Sequence, residues 1–203
     1  MRVMGLDEAG RGAVLGPLVV GGFCVDETQL AAVKATGATD SKALSAKRRE
    51  ALIDPLREIG IHSLREISAK AIDAANINTL EEQAFASLIE ELRPDRVIID
   101  CPVNPAGIPN FLRRMKALVA FELEWVVEPK ADATYPVCGA ASIFAKVTRD
   151  AAISRMGEVG SGYPSDPRTV AYLEGFVKAK KPFPASVRTR WGTVRKLCQQ
   201  ELF

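Results

Sequence analysis

Two adjacent acids, Asp7 and Glu8, close the strand-like opening of this chain, and a glycine-flanked arginine, Gly10-Arg11-Gly12, follows almost at once. Two more acids stand at comparable places. Asp100 ends the apolar run RVIID (96–100), and Asp132 lies in EPKAD, just past the strand-like ELEWVV (122–127). In α/β proteins ligands gather beyond the carboxyl ends of the strands. If these strands are neighbours, the four acids converge on one patch. Packed carboxylates raise one another's pKa unless cations sit between them. Hard divalent cations with oxygen-only ligation answer that need, and Mg²⁺ favours one or two carboxylates plus substrate phosphate. Two such ions about 3.5–4 Å apart can bracket a phosphodiester, activating water on one side and stabilising the leaving oxygen on the other. Each acid alone has a simpler reading as a turn former or helix cap. The joint pattern is what points to phosphodiester chemistry.

The glycines allow several readings. GRGAVLG (10–16) nearly matches a dinucleotide-binding fingerprint, but that motif needs a helix after the turn, and the strand-like PLVVGGFCV (17–25) follows instead. A tight hairpin is one alternative. Close approach of backbone amides to a substrate is another. Arg11 would then stand beside the acids.

The elements that must position these residues alternate along the chain. Strands are expected over 2–7, 17–25, 62–68, 96–100 and 122–127. Helices are expected over 45–59, capped by Ser45; over 79–92, with Asn78 and Glu81 as a capping box; and over 109–118 and 138–156. Phe85, Leu88, Ile89 and Leu92 fall on one helical face, as do Ile143, Val147 and Ala151. Asp166 followed by Pro167 starts a helix to about Lys178, and a last short helix holds Trp191 and Leu197. This is an α/β pattern, a mixed sheet flanked by helices with a C-terminal helical extension. It is expected as a single structural unit, a catalytic domain over 1–160 with a basic helical extension over 161–203 packed on it and not an independent domain.

Composition bounds the rest. The chain has 203 residues, 47% apolar and 26% charged, which suits a soluble globular protein with one sizeable core. Cys24, Cys101, Cys138 and Cys198 are scattered and form no C-x-x-C pair, so neither a zinc site nor a disulfide framework is expected. Reduced thiols suit the cytoplasm. No secretory leader and no membrane span is expected. Net charge is only +2, yet Lys178, Lys180, Lys181, Arg188, Arg190, Arg195 and Lys196 fall within 178–196 with no acid among them. Such a segment suits a polyanion, with Phe183 and Trp191 favouring a folded element. His62, the only histidine, has no partner motif and reads as structural or surface.

GLDEAGRGAVLGPLVV, then TDSKALSAKRR (39–49), EPKAD, GAASIFAKVTRD (139–150) and SGYPSDP (161–167) resemble, in this order, ribonuclease HII, the type 2 ribonuclease H. The tail RTRWGTVRKL (188–197) is similar to the archaeal and eukaryotic branch. The resemblance implies a ribonuclease H-like fold and cleavage of the RNA strand of RNA–DNA hybrids. It also implies a cut on the 5′ side of single ribonucleotides in duplex DNA. It maps a four-carboxylate metal site for Mg²⁺ or Mn²⁺ onto Asp7, Glu8, Asp100 and Asp132. It maps the reader of the ribose 2′-OH onto Gly10, Arg11 and Gly12, and the tyrosine that stacks on the following sugar onto Tyr163. Lys42, Lys146 and Arg149 are then expected as phosphate contacts. A monomer is expected; the meaning of the terminal QQELF stays open, since Gln199 and Phe203 alone are too few residues to carry docking on a sliding clamp. Competing readings are a type 1 ribonuclease H or junction resolvase, a non-catalytic nucleic-acid-binding subunit and a nucleotide-binding module.

Overall fold

A computed structural model describes residues 1–39 and 43–200, so Lys42 and the last three residues of QQELF lie outside the described residues. Five strands, β1 (Arg2–Ala9), β2 (Leu18–Asp26), β3 (Ile61–Ile67), β4 (Arg96–Asp100) and β5 (Glu124–Glu128), form one sheet in the order β3-β2-β1-β4-β5. The helices are α1 (Leu30–Ala35), α2 (Ala46–Ile59), α3 (Ala69–Ala74), α4 (Ile77–Leu92), α5 (Ile108–Leu118), α6 (Ala131–Thr134), α7 (Pro136–Ser154), α8 (Pro167–Lys178) and α9 (Gly192–Gln200). The sheet is mixed, as expected for this α/β class. Its β1–β4 and β4–β5 pairs are parallel.

Local chemistry explains most boundaries. The Ser45 hydroxyl accepts from Arg48 N–H and starts α2. Asp166 caps α8 by accepting from Arg168 N–H, with Pro167 in the first turn. On α4 the expected apolar face is buried, but the cap lies two residues earlier. The Asn76 carboxamide accepts from Asn78 N–H, which frees the side chain of Asn78 for another partner. On α7 Ile143 is buried while Ala151 is exposed, so the inward face is narrower than its periodicity suggests. The short helices α1, α3 and α6 escape periodicity analysis because one or two turns hold too few apolar positions.

The chain divides into two compact units: residues 1–9, 20–65 and 81–147, and residues 10–19, 66–80 and 148–203. The second unit is therefore more than the C-terminal extension expected over 161–203, because it includes the glycine-rich segment and a stretch before α4. The first unit holds a core of Val3, Phe23, Ile98, Ala141 and Phe144 among others, with the His62 ring stacked at 4.0 Å on Phe144. His62 is thus a packing residue. The second unit has its own core of Val14, Leu15, Ile153, Leu173, Val187 and Val194.

In the first unit the opening turns of α7 lie directly on the sheet. A Cβ added to Gly5 would stand 2.2 Å from the Val137 carbonyl carbon, and one added to Gly21 would stand 2.5 Å from Ala141 O. Only glycine permits this backbone approach. Cys138 donates its thiol to Ile98 O at 3.2 Å. Gly5→Ala forces α7 away from β1, so a loss of about 2–3 kcal/mol is expected in urea unfolding.

Candidate active site

The β1–β4 register pairs Leu6 with Ile99, and the next residue on each strand is an aspartate. Asp7 and Asp100 therefore emerge side by side. Asp132 arrives from β5, the other neighbour of β4. After Glu128 the chain turns through Lys130 in a left-handed conformation (φ 61°) into α6, and Ala131 N–H donates to Asp100 Oδ1 at 3.1 Å. One carboxylate oxygen from each of Asp7, Asp100 and Asp132 lies within 4.8 Å of the others. Asp7 and Asp132 are only 4% and 2% exposed.

This geometry loads Asp7 electrostatically. Burial, with a smaller contribution from Asp100, pushes its carboxyl up to about 6 from an ordinary 3.8. A Ser142 hydrogen bond, Lys146 and the Glu8 N–H, which reaches Asp7 Oδ1 at 2.7 Å, oppose that rise. Lys146 Nζ donates to Ser142 Oγ at 2.6 Å, so lysine, serine and aspartate form a relay. Lys146, expected as a phosphate contact, is thereby placed beside an acid. Ser142, fully buried, escaped sequence reasoning; its one signal is the four-residue spacing to Lys146 on α7. Glu8 lies outside the group of three, though its charge reaches Cys101, the neighbour of Asp100. Cys138 offers no thiolate, because burial and then the charge of Asp7 push its thiol well above the ordinary range. What remains is a set of oxygen donors, desolvated and mutually repelling, which fits hard divalent cations.

The second unit carries the glycine-arginine-glycine turn. Ala13 N–H donates to Gly10 O at 3.2 Å. Gly10 needs to be glycine for the fold: its φ is 90°, and a Cβ would meet Arg149 Nε at 2.4 Å. Gly12 does not. It is exposed, its φ is not positive, and among the described residues a Cβ there would meet nothing nearer than Tyr163 Cε1 at 4.0 Å. Arg11 donates to the freed Asn78 Oδ1. Gly162, beside Tyr163, accepts from Val14 N–H and Leu15 N–H at 2.9 and 3.1 Å, which ties the tyrosine loop to the glycine segment.

Arg149, expected as a phosphate contact, packs inside the second unit. It is 3% exposed, donates to Ser161 O at 2.9 Å and lies 4.5 Å over the Tyr163 ring. Burial lowers its pKa. Enclosed this way it packs against Gly10 and Tyr163. Arg188, counted with the basic segment, is likewise fully buried, whereas Lys178, Lys180, Lys181, Arg190, Arg195 and Lys196 are exposed.

A family model described as Ribonuclease HII matches residues 4–194. The chain belongs to the ribonuclease HII family. A ribonuclease HII from Methanocella arvoryzae is 43% identical over 94% of this chain and 89% of its own length. One from Thermococcus kodakarensis is 37% identical over 98% and 91%. Among solved structures, the ribonuclease H2 of Pyrococcus horikoshii OT3 superposes with a TM-score of 0.90 at 39% identity, covering 98% of both chains. The ribonuclease HII solved in a PCNA complex from Archaeoglobus fulgidus gives 0.86 at 37%, covering 96% of both. Ribonucleases HII cleave RNA in RNA–DNA hybrids, and this chain is a metal-dependent ribonuclease H. The nucleotide-binding alternative falls on the fold as well, since β2 and not a helix follows the glycines. Among the described residues, no helix is long and apolar enough to cross a membrane.

The raised carboxyl of Asp7 has a sign. Its protonated form favours the folded state, so its contribution is fully present below about pH 4 and lost as pH rises through about 6. For the metal-free protein that amounts to about 3 kcal/mol by pH 8. Asp7→Asn escapes the penalty. In EDTA at pH 8 its Tm is expected several degrees above the wild type, with the gap closing at pH 4, as differential scanning calorimetry can measure.

Proposed function

We propose that this ribonuclease H hydrolyses the phosphodiester on the 5′ side of a ribonucleotide, in RNA–DNA hybrids and at single ribonucleotides in duplex DNA. Products are a 3′-hydroxyl and a 5′-phosphate. Asp7, Asp100 and Asp132 hold divalent cations, Mg²⁺ or Mn²⁺, with Glu8 completing the set. When bound, two such cations supply an activated water and stabilise the leaving oxygen. Lys146 and Ser142 oppose the rise that burial imposes on Asp7 and so favour its ionised form. The Gly10–Gly12 backbone recognises the 2′-OH, which is read and does not attack. The Tyr163 ring, backed by Arg149, stacks on the next sugar.

One observation carries the recognition half. Gly12 is glycine where the fold has room for a side chain and no left-handed backbone requires one. Close approach of a substrate explains that choice. The exposed cations of 178–196 grip the duplex by charge. Each phosphate they neutralise contributes about −0.9 to the slope of log K against log salt. Because one relative was solved with PCNA, we take a sliding clamp as a partner, with QQELF as the docking segment. Lys42 is proposed as a further phosphate contact, and the four free cysteines suit action in the cytoplasm.

An end-labelled DNA duplex with one ribonucleotide tests the proposal. A single cut 5′ to the ribonucleotide is expected with Mg²⁺ or Mn²⁺, none in EDTA and none with Asp7→Asn. A 2′,3′-cyclic phosphate end would refute the mechanism. Cleavage confined to long hybrids would assign a type 1-like specificity. Gly12→Ala is expected to keep the wild-type Tm within about 2 °C, since nothing among the described residues opposes the added methyl. It should lower kcat/KM on the same duplex by about a hundredfold.

A further inference from the structure

Arg188 is fully buried, and its guanidinium is spent on backbone carbonyls of the glycine segment. Nη1 donates to Arg11 O at 3.1 Å, while Nε and Nη2 donate to Gly16 O at 3.2 and 3.0 Å. Its own N–H donates to Val14 O at 2.9 Å, and the preceding residue, Val187, bridges to Leu15. One residue thus holds carbonyls 11, 14 and 16. It is held in turn. Its guanidinium lies 5.2 Å from the Trp191 ring centroid, and the Asp73 carboxylate accepts from Thr189 N–H, Thr189 Oγ1 and Arg190 N–H at 2.6, 2.7 and 3.2 Å.

The consequence follows from peptide geometry. The Arg11 carbonyl and the Gly12 N–H belong to one planar trans unit and point to opposite sides of it. No peptide bond in the described chain is cis. Fixing Arg11 O against a buried guanidinium therefore fixes Gly12 N–H in the outward direction, at an exposed residue.

We propose that Arg188 is a positioning residue for ribonucleotide selection: by gripping the Arg11 and Gly16 carbonyls it aims the Gly12 N–H at the ribose 2′-OH. The inference rests on the reading that the glycine-arginine-glycine backbone recognises that hydroxyl. It converts one member of the basic tail from a contact with the duplex into an internal strut of the selectivity turn. It also explains the residue type. Three donors in a rigid fork reach two carbonyls at once, which a lysine ammonium on a flexible stem does not reproduce.

The test is equilibrium binding, with Ca²⁺ in place of the catalytic metal to suppress turnover. Full-length wild type, Arg188→Lys, Arg188→Met and Gly12→Ala are titrated with an all-DNA duplex and with the same duplex carrying one ribonucleotide. Circular dichroism at the assay temperature verifies folding. The preference for the ribonucleotide is expected to fall about tenfold or more in Arg188→Met and by less in Arg188→Lys. Affinity for the all-DNA duplex should stay within about twofold, because lost stability alone weakens both ligands alike. If Arg188→Met does not fold, Arg188→Lys decides by the same ratio. An unchanged preference in the folded Arg188 variants, with loss in Gly12→Ala, would overturn the strut and leave the reading of the turn standing. An unchanged preference in Gly12→Ala as well would overturn both.

Discussion

The parallel pairing of β1 with β4, with Leu6 opposite Ile99, is the constraint on which the acidic centre depends. It sets two aspartates side by side at the carboxyl edge of the sheet, and β5 delivers a third through a short turn. A one-residue slip would reverse which face each side chain occupies and scatter the group. The same pairing lets α7 settle on Gly5, which brings Ser142 and Lys146 to Asp7. Its cost is a desolvated carboxyl that does not ionise freely without positive charge nearby. A cation seated among the carboxylates would offset that cost, which is why the group fits hard divalent ions.

The glycine segment rests on a different interaction, the burial of two guanidiniums in the second unit. Arg188 holds the carbonyls of the glycine segment, and Arg149 lies against Gly10 and beneath Tyr163. Burial lowers the pKa of both, that of Arg188 to about 10, which leaves the Arg188 guanidinium charged near neutrality. Hydrogen bonds to a charged donor exceed neutral ones in strength, which suits a turn whose glycines contribute no side-chain packing of their own.

Much of this was legible in the sequence, for physical reasons that particular residues make plain. The strands RVIID and PLVVGGFCV and the apolar face of α4 announce themselves through burial periodicity. Ser45 and Asp166 announce helices through capping chemistry. Asp7, Asp100 and Asp132 follow from the rule that ligands collect at strand ends. What stayed hidden depends on tertiary partners. Nothing local separates Arg149 or Arg188 from exposed arginines, because burial of a guanidinium is decided by which carbonyls and rings surround it. Nor does sequence reveal that Asn76 caps α4 and leaves Asn78 to Arg11. The division into units was hidden too, since it joins segments far apart in the chain.

Cation binding by the acid group is the most direct measure of the whole account. Mn²⁺ titrated into the protein at pH 7 can be followed by the electron paramagnetic resonance signal of the free ion. The expected result is depletion of that signal by the wild type, sharply reduced depletion by Asp7→Asn and by Asp132→Asn, and competition by Mg²⁺. Equal depletion by all three proteins would show that Asp7, Asp100 and Asp132 do not form the metal centre.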